Sequence, residues 1–189
     1  MRKINLLLSC PSDVFSNFGN DIFEAVTDVN FYFEKILDTH IELLHYSSSS
    51  YSQVGKPAQD HLDDTLIINS DACIAFFYHK LGTPTSKYKS GTDEEINLMR
   101  SQGKHVSLFR IYDSNNDKNF DSELDRYFKD ISAVSMFKTI IGKEKIIDTV
   151  KIDLVNFITS TFNVELLMMG EPIEPIKFFK KIAHISDKK

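Results

Sequence analysis

The chain is poor in the residues that staple, anchor or metallate small proteins. It has two cysteines, Cys10 and Cys73, too few and too far apart for a disulfide framework or a metal-binding spacing. Both lie in or beside apolar runs, which fits buried thiols and a reducing cytosol. Tryptophan is absent, whereas phenylalanine occurs 15 times, so the core is expected to be Phe packed with Ile and Leu. No stretch approaches the roughly 20 apolar residues needed to span a bilayer. The run Ile4 to Leu8, interrupted by Asn5, is too short for a secretory signal. Neither GxGxxG nor GxxxxGK[ST] occurs, which removes both glycine-loop nucleotide fingerprints. His45 and His79 stand singly, with no further ligands at zinc spacing. Net charge is −5, from 22 basic and 27 acidic residues, which argues against a nucleic acid or an anionic membrane as the main partner.

What is present is alternation. The 189 residues suit one domain with a short appendage. Apolar runs at Ile4–Ser9, Ile41–Tyr46, Asp71–His79, His105–Tyr112 and Met136–Ile141 predict five strands. The third run is apolar almost throughout and reads as central. Helical spacing is expected over Val14–Leu37, from Pro57 through Leu66, over Thr92–Gln102 ahead of Gly103, over Ser122–Ile131, and from Gly142 through Phe162. Cys10–Asp13 reads as a turn in which Ser12 or Asp13 caps the first helix. Ser47–Gly55 is a polar, Ser-rich loop. Alternation of this kind predicts an α/β fold, a doubly wound parallel sheet with right-handed crossovers. The expected domain spans residues 1–163. Residues 164–189, with two prolines and a mixed apolar and basic end, read as a linker or a docking segment leading to a further domain.

The richest stretch is LGTPTSKYKSGTDEEI, Leu81 to Ile96. It follows the third strand and ends in Glu94 and Glu95 at the start of a helix. Loops at the carboxyl ends of the strands form the ligand crevice of an open α/β sheet. A carboxylate there can act on a ligand. It can also serve its own helix: Thr92 as N-cap with Glu95 three residues later fits a capping box. Both readings stand on spacing alone. Gly82 suits a tight turn or a close approach of backbone to ligand. Ser9, Cys10, Pro11 and Ser12 follow the first strand, and Tyr46 offers a ring at the end of the second.

Taken together, SCPSDV, FEAVTDVN, IELLHY, GKPAQDHL and DACIAFFYHKLGTPTSKYKSGTDEEI resemble the bacterial TIR-like domains. These relatives of Toll/interleukin-1 receptor domains occur in anti-phage and STAND-type proteins. The resemblance covers about Lys3 to Phe162. It rests most on SCPSDV and the LGTPT–SGTxEE block and least on residues after Asp113. It implies a flavodoxin-like, three-layer fold with a five-stranded sheet in the order 2-1-3-4-5. It also implies an NAD+ nucleosidase that releases nicotinamide and leaves ADP-ribose, open or cyclised. NAD+ would be the substrate and no cofactor would be required.

In this resemblance the acid followed by an aliphatic residue, Glu95 before Ile96, is the catalytic residue, with Glu94 as second choice. Ser9, Cys10, Pro11, Ser12, Tyr46, Gln59, Gly82, Thr83 and Pro84 would contact the ligand. The implied role is a cytoplasmic defence effector. It would be activated by self-association through TIR-like surfaces that orders Ser47–Gly55, with a sensor or other defence protein as partner. Two alternatives accompany it: a non-catalytic assembly module, and an enzyme similar to nucleoside deoxyribosyltransferases. The chain departs from the family where the second strand, often ending in Trp, ends in His45-Tyr46, and where SSSSYSQV replaces the usual loop.

Overall fold

A computed structural model describes residues 1–46, 66–114, 121–133 and 135–161. The Ser-rich loop, the start of the helix expected from Pro57, Gln59 and the segment 164–189 lie outside the described residues.

Five strands form one parallel sheet in the order β2-β1-β3-β4-β5. They are β1 (Arg2–Ser9), β2 (Thr39–Leu44), β3 (Ala72–Phe77), β4 (His105–Tyr112) and β5 (Lys138–Ile141). The described helices are α1 (Ser12–Leu37), α2 (Gly91–Ser101), α3 (Ser122–Ser132) and α4 (Ile146–Thr161). This is the flavodoxin-like order, and its topological switch lies between β1 and β3. All six residues of β3 are buried. Their pleat alternates them between the two sides. Ala72, Ile74 and Phe76 pack with α1 and α4, while Cys73, Ala75 and Phe77 pack with α2 and α3. The central position expected for this apolar run is therefore observed. Among the described residues, no helix is long and apolar enough to cross a membrane.

Helix α1 follows the spacing read from the sequence, and its buried face includes Val14, Phe18, Ile22, Ala25, Val26, Val29 and Phe33. Its start differs from expectation. Pro11, in extended conformation, occupies the N-cap, and neither Ser12 nor Asp13 caps. Asp13 instead accepts the His79 N–H at 3.1 Å, so its carboxylate ties the turn after β1 to the loop after β3. Strand β2 ends at Leu44, two residues before the expected Tyr46. Leu44 pairs with Leu7, whereas Leu8 and Ser9 of β1 pair only with β3. At the far edge β5 begins at Lys138, and Met136, expected to start it, is 97% exposed. Helix α2 ends as expected ahead of Gly103, which takes a positive φ of 70°.

Candidate functional site

The carboxyl ends of β1, β2 and β3 converge with the start of α2 on one cavity of about 500 Å³. This is within the usual size range of small-molecule sites, roughly 300–1,000 Å³. Its wall carries Cys10, Pro11 and Ser12 from beyond β1, Tyr46 from beyond β2, and Lys80, Gly82 and Thr83 from beyond β3. Gly91, Thr92 and Glu95 come from α2 and Asp121 from the start of α3.

The first turn of α2 decides what Glu95 is for. The N-cap is Ser90, not Thr92. Its hydroxyl accepts the Asp93 N–H at 3.1 Å, and the Asp93 carboxylate accepts the Lys89 N–H at 3.0 Å. Asn97 donates to the Asp93 carboxylate at 2.9 Å and fixes it further. The capping duty thus falls to Ser90 and Asp93, and the capping box expected from Thr92 and Glu95 does not form. The reason is local. Ser90 is fully buried, and the next residue, Gly91, donates its N–H to the Thr83 carbonyl at 3.2 Å. That bond fixes where the loop stops and the helix starts.

Glu95 is therefore two residues deeper in the helix than a cap at Thr92 would put it, only 9% exposed, and on the cavity wall. The Ser9 hydroxyl, itself buried at the end of β1, donates a short hydrogen bond to its Oε2. This bond orients one carboxylate oxygen. Glu94 is also buried but is not on the cavity wall.

Gly82 sets the spacing of the two loops. Its φ is +104°, a conformation that side chains resist. A Cβ there would meet Ser90 at 3.3 Å and Pro11 at 3.6 Å. The glycine lets the loop after β3 close against both the turn after β1 and the cap of α2. Pro84 is exposed and is not on the cavity wall.

Cys10 sits at the cavity but is not set up as a nucleophile. Burial, then the nearby negative charges of Glu95 and Asp13, push its thiol up to about 12. Burial and the same glutamate also push the Cys73 thiol up. His45 is fully buried and stacks face to face on Phe15 at 4.0 Å. Burial lowers its pKa to about 4, so it is a neutral ring at neutral pH. Tyr46, next in sequence, is 38% exposed and faces the cavity.

Of the residues read from the sequence, the structure brings together Glu95, Ser9, Cys10, Pro11, Ser12, Tyr46, Gly82 and Thr83. Gln59 lies outside the described residues. Lys80 and Asp121 were not singled out. Lys80 was legible in principle, because it directly follows the apolar run Asp71–His79. Asp121 is a helix cap whose Oδ1 accepts the Leu124 N–H at 2.5 Å and whose Oδ2 accepts the Leu81 N–H at 3.3 Å. Its approach to the cavity depends on packing across 40 residues, which local sequence does not display. Among the described residues, no three His, Cys, Asp or Glu side chains are placed to share a metal ion.

No family model and no curated protein matches the chain. Among solved structures, oxidised flavodoxin 1 from Bacillus cereus is similar over 83% of this chain and 97% of its own, at 10% identity and a TM-score of 0.42. Homoserine dehydrogenase from S. aureus is similar over 75% of this chain and 33% of its own, at 11% identity and a TM-score of 0.36. At this level neither likeness bears on function. The strand order itself makes the fold flavodoxin-like.

Proposed function

We propose that the chain is an NAD+ glycohydrolase that releases nicotinamide from Glu95's cavity. The observation that carries this reading is the position of Glu95: buried, on the cavity wall at the sheet's switch point, relieved of capping by Ser90 and Asp93, and hydrogen-bonded by Ser9. Cleavage of the bond between nicotinamide and ribose takes the bonding pair onto the ring nitrogen. The ring leaves as neutral nicotinamide, and positive charge develops on the ribose. Water then adds to the anomeric carbon and releases a proton, giving ADP-ribose. Because this leaving group departs without needing a proton, one carboxylate suffices where glycosidases use two. Glu95 stabilises the oxocarbenium-like charge or holds the ribose hydroxyls. Ser9 keeps it aimed.

Self-association as the activating step, and a role in anti-phage defence, are part of the same proposal and follow the TIR resemblance. Purified protein is incubated with NAD+ at rising protein concentration and free nicotinamide is measured. Release is expected, with a rate per chain that increases with concentration. Glu95→Ala should lower it by about 100-fold or more, the usual cost of losing one transition-state electrostatic partner. Equal release by Glu95→Ala would overturn the assignment. Oligomers that form without any release would favour the non-catalytic assembly module. Turnover of nucleosides but not NAD+ would favour the deoxyribosyltransferase-like alternative.

A further inference from the structure

The cavity holds a cation that bond cleavage alone does not use. Neighbouring strands lie about 4.8 Å apart, and β2, β1 and β3 follow one another across the sheet. Tyr46 comes from beyond β2, Cys10 to Ser12 from beyond β1, and Lys80 from beyond β3. Glu95 is joined to the middle strand through Ser9. The strand order thus brings an aromatic ring, a carboxylate held to the middle strand and a cation to one cavity. The nicotinamide ring, ribose and phosphates of a nicotinamide nucleotide are their chemical counterparts.

Lys80 is the one Lys or Arg among the described residues of this wall. Its backbone is clamped on both sides. Before it, the His79 N–H donates to Asp13 and the His79 carbonyl accepts the Asp121 N–H at 3.0 Å. After it, the Leu81 N–H donates to the Asp121 carboxylate. Yet Lys80 is in no ion pair among the described residues. Asp121 shares the wall, but its two oxygens are turned to the Leu124 and Leu81 N–H groups. An exposed ammonium on an anchored backbone beside a cavity, with no acidic partner among the described residues, favours an anionic part of the ligand.

We infer that Lys80 binds phosphate and selects phosphorylated nicotinamide nucleotides over the free riboside. This inference rests on the glycohydrolase reading for the identity of the substrate. Lys80 is a specificity residue here: it acts on the part of the substrate remote from the broken bond.

The test uses the full chain and two readouts. The first compares kcat/KM for NAD+, nicotinamide mononucleotide and nicotinamide riboside in wild type, Lys80→Gln and Lys80→Arg. The second measures binding of ADP-ribose by calorimetry, which needs no turnover. Lys80→Gln should reduce the preference for NAD+ over the riboside roughly tenfold, through KM, and weaken ADP-ribose binding by a similar factor. Lys80→Arg should restore most of both. Preference and binding within twofold of wild type in Lys80→Gln would overturn the inference. ADP-ribose binding that weakens in Lys80→Gln, in a chain that releases no nicotinamide, would uphold the phosphate site and overturn the glycohydrolase reading. Nicotinamide release with unchanged preference would do the reverse. Absence of both binding and release would overturn both.

Discussion

Helices α1 and α2 flank the same sheet but bury opposite kinds of residue. Over 26 residues α1 buries an apolar stripe, interrupted only by Gly19 and by Asn30. Asn30 answers its own burial, with its amide exchanging hydrogen bonds with the Ile41 N–H and carbonyl at 2.7 and 2.8 Å. Over 11 residues α2 buries six, and four of them are Thr92, Asp93, Glu94 and Glu95. Buried carboxylates oppose folding unless they are hydrogen-bonded. Asp93 has a partner because it builds the cap. Glu95 has Ser9, which is not a helix contact but the end of β1. The contrast separates a helix that holds the fold together from one whose first turns are shaped around a cavity.

Substitution in α1 should give the largest loss of stability. Phe33 is fully buried between α1 and the sheet. Phe33→Ala should cost about 3–5 kcal/mol in denaturant unfolding. A cost similar to that of an exposed α1 position would break the comparison.

His45, stacked on Phe15 of α1, makes the second effect pH-dependent. Its folded pKa of about 4 lies below the ordinary 6.5. The unfolded chain therefore binds the proton more readily. Its contribution is fully present above pH 6.5 and is lost as pH falls toward 4, up to about 3 kcal/mol. His45→Phe should flatten the stability profile over that window, as read by thermal unfolding. An unchanged slope would show that other groups carry it.

The smallest effect belongs to the cap of α2. Ser90→Ala should cost about 1 kcal/mol. Thr92→Val, which removes the hydroxyl that a capping box at Glu95 would need, should cost less. A reversed order would return the capping role to Thr92.

The unequal legibility of these regions has a physical cause. β3 was readable because no polar residue interrupts Ala72–Phe77, and α1 because its apolar spacing persists over many turns. The start of α2 was not. SGTDEE contains two overlapping cap signals, Ser90 with Asp93 and Thr92 with Glu95, and local sequence cannot choose between them. The choice comes from Ser90's burial beside Gly82 and from the Gly91–Thr83 hydrogen bond, contacts of the folded chain. Glu95 was legible as a residue to watch, and Gly82 as a close approach. Their meeting with Ser9, 86 positions from Glu95, follows from β1 lying next to β3. Lys80 joins the cavity through the same juxtaposition, and Asp121 through its hydrogen bonds to the loop after β3.

The central claim is that Glu95 serves a ligand and not its helix. Glu95→Gln keeps the size of the side chain and removes its charge, so one preparation reads both roles. Nicotinamide release from NAD+ should fall by about 100-fold or more. Unfolding free energy in the same buffer should change by less than about 1 kcal/mol, since Ser90 and Asp93 hold the cap. A loss of stability with undiminished release would contradict the account and make Glu95 a structural residue.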